Sequence, residues 1–361
     1  MHPLDIAIGI EFKVHEWEPL KAEIPRPDGF KVVEEIDRRP CNEWKGVDSG
    51  KYAVYLLRKR GLDHFSVMAK LTKILGERPG YLGIKDANAS TEQLIYVRKK
   101  RIESYSNSSF SIEFKGFTNQ KLNHTGNRFE ITLVSDEAEL TKRVEMIKRE
   151  GTLPAFIGYQ RFGTRRPITH LIGKALSQRD WCKAVDFILG YPFSEEKKEI
   201  KQFRKDYMKR KTDRLQISNV PKQEREVYLE LNSSGSCLSA LKRSPVKLSF
   251  YLEAFQSYLF NRVLSRKLIN STTNEKDEIV IHVKPELCDT ECKEVFEEEM
   301  VDKNSFLIEE LGIRLKPLKR KAFMNISSIE LNQELKFSLE RGMYATVVLS
   351  EILNTDPKSF T

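Results

Sequence analysis

Asp86 is the carboxylate in this chain whose setting most suggests chemistry. It lies in Arg78-Pro-Gly-Tyr-Leu-Gly-Ile-Lys-Asp-Ala-Asn-Ala-Ser-Thr-Glu-Gln-Leu-Ile-Tyr-Val97, which opens on turn residues and closes on a β-branched and aromatic run. That pattern reads as strand, loop, strand, with a carboxylate displayed at the bend. Gly83 lets the backbone turn or lets a ligand come close. Lys85 and Asp86 are neighbours in an extended stretch, so their side chains point to opposite faces and do not pair with each other. An ionised carboxylate so placed can attack an electrophilic carbon or serve as a base. The plain alternative is an Asx-turn residue on a solvated loop.

The elements around this loop follow from periodicity. Phe30–Ile36 reads as a strand, an edge strand on the plainest view, with Phe30 and Val32 inward. A second strand is expected over 49–58. Asp63 then caps a helix whose apolar residues Phe65, Met68, Leu71, Ile74 and Leu75 recur at helical spacing until Gly76 stops it. Residues 110–114 alternate as a half-buried strand does. Gly126-Asn127 is turn chemistry, and Phe129, Ile131 and Leu133 share a face of the strand that follows. A charged amphipathic helix is expected over 136–148, closed by Gly151. Beyond about Thr164 the composition shifts to helical stretches at 169–178, 183–189 and a long amphipathic one at 246–267. The charged runs 195–211, 291–300 and 316–321 read as solvated faces, with RNA contact the sharper alternative for the first and last. Tyr344 begins an amphipathic helix after Gly342.

Gly83-Ile-Lys85-Asp86-Ala-Asn-Ala89-Ser-Thr91-Glu-Gln93 resembles the signature of the TruD family of pseudouridine synthases, Gly-x-Lys-Asp-x-x-Ala-x-Thr-x-Gln, at every fixed position. Pro27, Phe30, Val32 and Glu34 resemble the family's Pro-x-x-Phe-x-Val-x-Glu, although Asp28-Gly29 stands where members often have Glu-Asp. Asn127 and Phe129 resemble its Gly-Asn-x-Phe. Gly158 to Gly163 resembles its Phe-Gly-x-Gln-Arg-Phe-Gly, with Ile157 for the first Phe. Residues 256–261 resemble a Gln-Ser-x-Leu-Phe-Asn element, read here as packing and cap-type hydrogen bonding. Residues 337–346 resemble the closing motif, with Glu340 for its usual proline.

The resemblance implies an α+β fold: a pseudouridine synthase catalytic domain (1–163 and 317–361) with an antiparallel-rich mixed sheet, interrupted by a large α/β inserted domain (164–316). It implies that uridine in tRNA, above all at position 13, becomes pseudouridine with no cofactor and no metal. Asp86 is then the catalytic residue, as nucleophile at C1′ or C6 or as base towards the 2′-hydrogen. Phe30, Lys85, Asn127, Phe129, Arg161 and Tyr344 are the expected substrate-binding residues. A carboxylate kept ionised beside phosphates needs a cation near it; Arg161, Arg341 and Lys85 are the candidates. The alternatives are the same chemistry on another RNA position, or a non-catalytic RNA-binding relative.

Composition is compatible with this. The chain has 361 residues, 40% hydrophobic and 31% charged, and a formal net charge of +9, which favours a polyanionic partner. No apolar run approaches the ~18 residues of a membrane span, and the N-terminus lacks signal-peptide character. A cytoplasmic monomer with tRNA as partner is expected. The five cysteines are scattered and complete no ligand-spaced cluster, so reduced thiols are expected.

Overall fold

The computed structural model describes residues 1–98, 102–210 and 217–361. Its centre is a sheet of ten strands among the described residues. The longer ones are β1 (Phe30–Ile36), β2 (Tyr52–Arg60), β3 (Ser90–Arg98), β4 (Phe110–Thr118), β5 (His124–Ile131) and β6 (Leu335–Glu340). They lie in the order β6-β5-β1-β3-β2-β4. Every pairing along this path is antiparallel except β1 with β3. The fold is α+β with a mostly antiparallel sheet, as expected. β1 is central, not an edge strand, and Phe30 and Val32 are buried.

The parallel pair needs a crossover, which β2 and helix α1 (His64–Leu75) supply. The Asp63 carboxylate accepts the Ser66 N–H at 2.8 Å, and Gly76 closes the helix in the left-handed region at φ 76°. Val67, Met68, Leu71 and Leu75 pack on Tyr55, Leu57, Ile95 and Ile112 of the sheet. Phe65, expected inward, is 52% exposed. The helix instead turns in His64, whose ring meets the Tyr81 ring edge-on at 4.4 Å.

Between Gly163 and the return to the sheet at Glu330, helices are the main elements among the described residues. The long helix α2 (Leu248–Ile269) is buried around most of its circumference, and helix α3 (Ala345–Leu353) is buried at every residue. Both are expected as amphipathic helices; each is buried more fully than that, because other elements enclose it. One core runs from Phe30 and Phe129 through Ile172 and Leu176 to Phe255, Phe260 and Phe296, and back to Phe337 and Ile352.

Three further expectations are corrected. In the charged run 195–211, Arg204 is only 2% exposed, because Glu196 and Glu224 each hold it at 2.7 Å; Lys211 lies outside the described residues. The acidic segment 291–300 faces α2 rather than solvent alone: Glu294 pairs with Arg266 and Glu291 with Lys267, at 3.0 and 3.1 Å. Opposite charges on two facing helices can be buried where a lone acidic face cannot. Finally, the thiols are not all reduced. Disulfides join Cys182 to Cys237 and Cys288 to Cys292, leaving Cys41 free and buried. The first pair, 55 residues apart in sequence, meets because the helices Trp181–Leu189 and Cys237–Lys242 lie together.

Among the described residues, no helix is long and apolar enough to cross a membrane.

Candidate active site

The register of three strands builds one wall. Val32, Phe129 and Phe337 stand opposite one another across β1, β5 and β6, as do Glu34, Asn127 and Leu339. Residues directly opposite share a face. The Phe129 ring lies 5.3 Å from Phe337, stacked, and meets Phe30 edge-on at 6.2 Å. The parallel partner β3 begins with Ser90 opposite Lys31. The loop before β3, which carries Asp86, therefore opens beside the start of β1.

That loop is held from beneath. Lys85 points inward and is 5% exposed; its Nζ donates to Glu34 Oε1 at 2.8 Å. The other oxygen of the buried Glu34 accepts the Leu94 N–H at 3.0 Å. A side chain at Gly83 would stand 3.2 Å from Lys85 Nζ, so glycine there leaves the lysine its path to Glu34. Gln93 Nε2 donates to the Gly83 carbonyl at 3.1 Å. Lys59, also buried, donates to the backbone carbonyls of Leu62 and Asp86, at 3.0 and 2.5 Å. Burial lowers the Lys59 ammonium to about 8, against the opposing pull of Asp86 and Asp63. With both lysines bound inward, the Asp86 side chain is left on the outer face, exposed. The alternation argument holds here: Lys85 and Asp86 point apart.

The opposite wall comes from the far end of the chain. Tyr344 precedes α3 and packs against Gly158 so closely that a Cβ there would lie 2.8 Å from its ring. Asn261 of α2 fixes the segment before Gly158, accepting the Ile157 N–H at 2.8 Å and donating to the Ile8 and Ile157 carbonyls. This is the hydrogen-bonding role expected of that motif. Thr346 of α3 donates to Gln160 at 3.0 Å.

Between the walls lies a cavity of about 170 Å³. Phe30, Lys85, Asp86, Asn127, Phe129 and Tyr344 line it, with Ile84 and Gln160 among its other residues. Asn127 Oδ1 is buried, with no hydrogen-bond partner among the described residues, an unsatisfied acceptor on a residue of the cavity wall.

Arg161 is not in this lining. Its guanidinium turns to α2, where Nη2 meets Glu253 at 3.0 Å and the group lies 4.9 Å from the Phe250 ring. The neighbour Gln160 faces the cavity instead, because the short helical turn Tyr159–Arg161 sends successive side chains in different directions. Each of the three candidate cations has another partner. Lys85 is engaged with Glu34, Arg161 with Glu253, and Arg341 is exposed with its N–H on the Thr125 carbonyl. The Asp86 charge acts on Arg26 and Lys59. Arg26 lies 3.9 Å over the Phe30 ring, and its guanidinium donates to the Asn88 and Phe360 carbonyls at 2.9 and 2.8 Å. Burial lowers its pKa and the Asp86 charge opposes that. Arg320, from the charged run expected to be solvated, reaches over Tyr344 at 5.9 Å and donates to the Gly342 carbonyl at 2.9 Å.

This arrangement of a carboxylate beside aromatic rings and an open amide can be set against known proteins. The family model for tRNA pseudouridine synthase D (TruD) matches residues 7–310. The chain belongs to the TruD family. It is 48% identical to a probable tRNA pseudouridine synthase D of Saccharolobus solfataricus, over 100% of this chain and 99% of the relative. A protein of the same description from Sulfurisphaera tokodaii is 45% identical, over 98% and 100%. The crystal structure of a putative TruD from Methanosarcina mazei superposes with a TM-score of 0.76 at 23% identity, covering 100% of both chains, and so shares the fold.

The departures from the TruD motifs lie outside the cavity lining. Ile157 is a buried core residue held by Asn261, so the aromatic ring it replaces is lost from the core side. Glu340 pairs with Lys321 at 2.6 Å, an ion pair where the family has a proline. At the Asp28-Gly29 turn, Asp28 is ion-paired with Arg60, and a Cβ on Gly29 would collide with Pro25 at 2.7 Å.

Proposed function

We propose that this TruD-family protein converts uridine to pseudouridine in tRNA, at position 13, with Asp86 as the catalytic carboxylate. The observation that carries the reading is the cavity itself. Asp86, Asn127, Phe129 and Tyr344, drawn from distant parts of the chain, line one space beside an exposed carboxylate.

The reaction breaks the N1–C1′ bond, turns the uracil, and joins C5 to C1′; the C5 proton leaves and N1 gains one. The uridine must first leave its stack, at a cost of a few kcal/mol. The faces of Phe129 and Tyr344 offset that cost by stacking, and the open Asn127 amide meets the uracil edge by hydrogen bonding. Asp86 then acts on the ribose or the ring, as nucleophile or as base. Arg26 and Lys59 supply positive charge beside the loop that carries Asp86. Glu34 acts through Lys85, by fixing the loop that carries Asp86.

The test is incubation with an unmodified tRNA transcript, followed by mapping of the product. Pseudouridine at position 13 supports the whole reading. Pseudouridine elsewhere keeps the chemistry and changes the target. Tight tRNA binding with no product from several transcripts would make the chain an RNA-binding relative.

A further inference from the structure

On the sheet face that carries Val54, Leu56 and Leu94, a second cavity of about 380 Å³ opens among Tyr52, Tyr96, Leu82, Lys51, Asn119 and Lys121. We infer that it receives the base of an unpaired RNA nucleotide close to the target uridine. The inference rests on the reading of tRNA as substrate.

Four observations carry it. First, the walls are aromatic: the Tyr52 and Tyr96 rings meet edge-on at 5.7 Å, and both are only partly buried. Partly exposed rings are the platform on which single-stranded bases stack. Second, the charge is complementary to a nucleotide. Lys51 lies 5.3 Å over the Tyr52 ring, Lys121 is exposed at the rim, and neither has a carboxylate partner among the described residues. Third, the cavity is more than twice the size of the one at Asp86, about 380 against 170 Å³, so a base fits with room to turn. Fourth, its wall residue Leu82 sits on the loop that carries Asp86, and the chain between them spans at most about 14 Å. The register sets Val32 level with Thr91 and Leu56 level with Leu94, so this cavity lies on the opposite face of the sheet from the one at Asp86, joined to it by that short loop, and a base bound here belongs to a nucleotide that reaches round the loop from the target. The loop is tied to the pocket by packing as well. Gly80 pairs with Tyr96, and a Cβ on that glycine would stand 2.3 Å from the tyrosine ring. Filling the pocket would thus brace the strand end from which the Asp86 loop departs.

The test uses the full-length protein and tRNA transcripts carrying one abasic site at a time, at each nucleotide flanking the target. Wild type should lose about 5- to 150-fold in kcat/KM at one position, the loss of one base stack. Tyr52→Ala should lose the same on intact tRNA and nothing further at that position, whereas Tyr52→Phe should behave as wild type. A Tyr52→Ala loss that multiplies with the abasic loss at every position, or no Tyr52→Ala loss at all, overturns the inference. A second measurement is independent of catalysis. 2-Aminopurine at that nucleotide should be quenched on binding by wild type and Tyr52→Phe, and not by Tyr52→Ala. Quenching unchanged in Tyr52→Ala also overturns the inference. A wild type that forms no pseudouridine counts against the proposed activity, and the quenching still decides the pocket.

Discussion

Lys85 Nζ lies 2.8 Å from Glu34 Oε1, and both side chains are buried. The ion pair ties the Asp86 loop to the central strand, so the exposed carboxylate inherits its position from a buried one. Glu34→Gln strands the Lys85 charge and should destabilise the fold by about 3–5 kcal/mol, with a large fall in kcat. Glu34→Gln with Lys85→Met should recover much of the stability and none of the activity. Denaturant unfolding beside single-turnover kinetics separates the two effects. Full activity in the double variant would show that the pair does not position Asp86.

Arg26 and Arg161 should differ in effect. Arg26→Gln removes a cation that feels Asp86 and should lower kcat by on the order of 10- to 100-fold. Arg161→Gln breaks a contact with Glu253 away from the cavity and should leave kcat within about twofold. Steady-state kinetics of the two variants settles this. The reverse order would put Arg161 at the substrate after all.

How far the site was legible depended on local order. Lys85 and Asp86 could be assigned to opposite faces because alternation along an extended chain is a local property. Asn127, Phe129 and Tyr344 could be singled out because each stands in a recognisable pattern. Arg26 and Lys59 could not. Arg26 lies in an irregular Pro-rich segment and Lys59 near the end of β2; the parallel pairing of β1 with β3 brings the first towards the loop, and the antiparallel pairing of β2 with β3, which sets Lys59 opposite Thr91, brings the second. Arg161 stands among the expected site residues and Gln160 does not, yet Gln160 lines the cavity, because the direction of a side chain in a single helical turn is set by tertiary packing. Burial of Arg204, Glu291 and Glu299 was hidden for a similar reason: a charged run looks solvated until its partner is known.

The disulfide between Cys182 and Cys237 joins two helices whose Cα atoms at the bond are 5.1 Å apart. Cys182→Ser with Cys237→Ser should lower stability by about 2–4 kcal/mol while leaving pseudouridine formation intact at temperatures where the variant is folded. Reductant should lower the Tm of wild type by more than that of the double variant, which keeps only the Cys288–Cys292 bond. Equal responses would mean the bond does not stabilise this fold.

His15 links the N-terminal segment to α3, with Nδ1 2.9 Å from Glu351 and Nε2 2.9 Å from Glu150. Burial opposes the charged ring, yet the two carboxylates outweigh it and raise the pKa above 6.5. A folded value above the unfolded one gives stabilisation that is complete below pH about 6.5 and lost as the pH rises through the raised value. The Tm advantage of wild type over His15→Gln should therefore be full below pH about 6.5 and shrink as the pH rises above it. A difference independent of pH would remove the charged interaction from the account.

The most direct test is Asp86→Asn, which keeps size and polarity and removes the charge. Asp86 is exposed at the cavity, so the variant should unfold with wild-type stability and bind tRNA with wild-type affinity. In a single-turnover assay on unmodified tRNA, wild type should form pseudouridine at one mapped position and Asp86→Asn should form none. Product from Asp86→Asn at the wild-type rate would contradict the assignment of this carboxylate to the reaction.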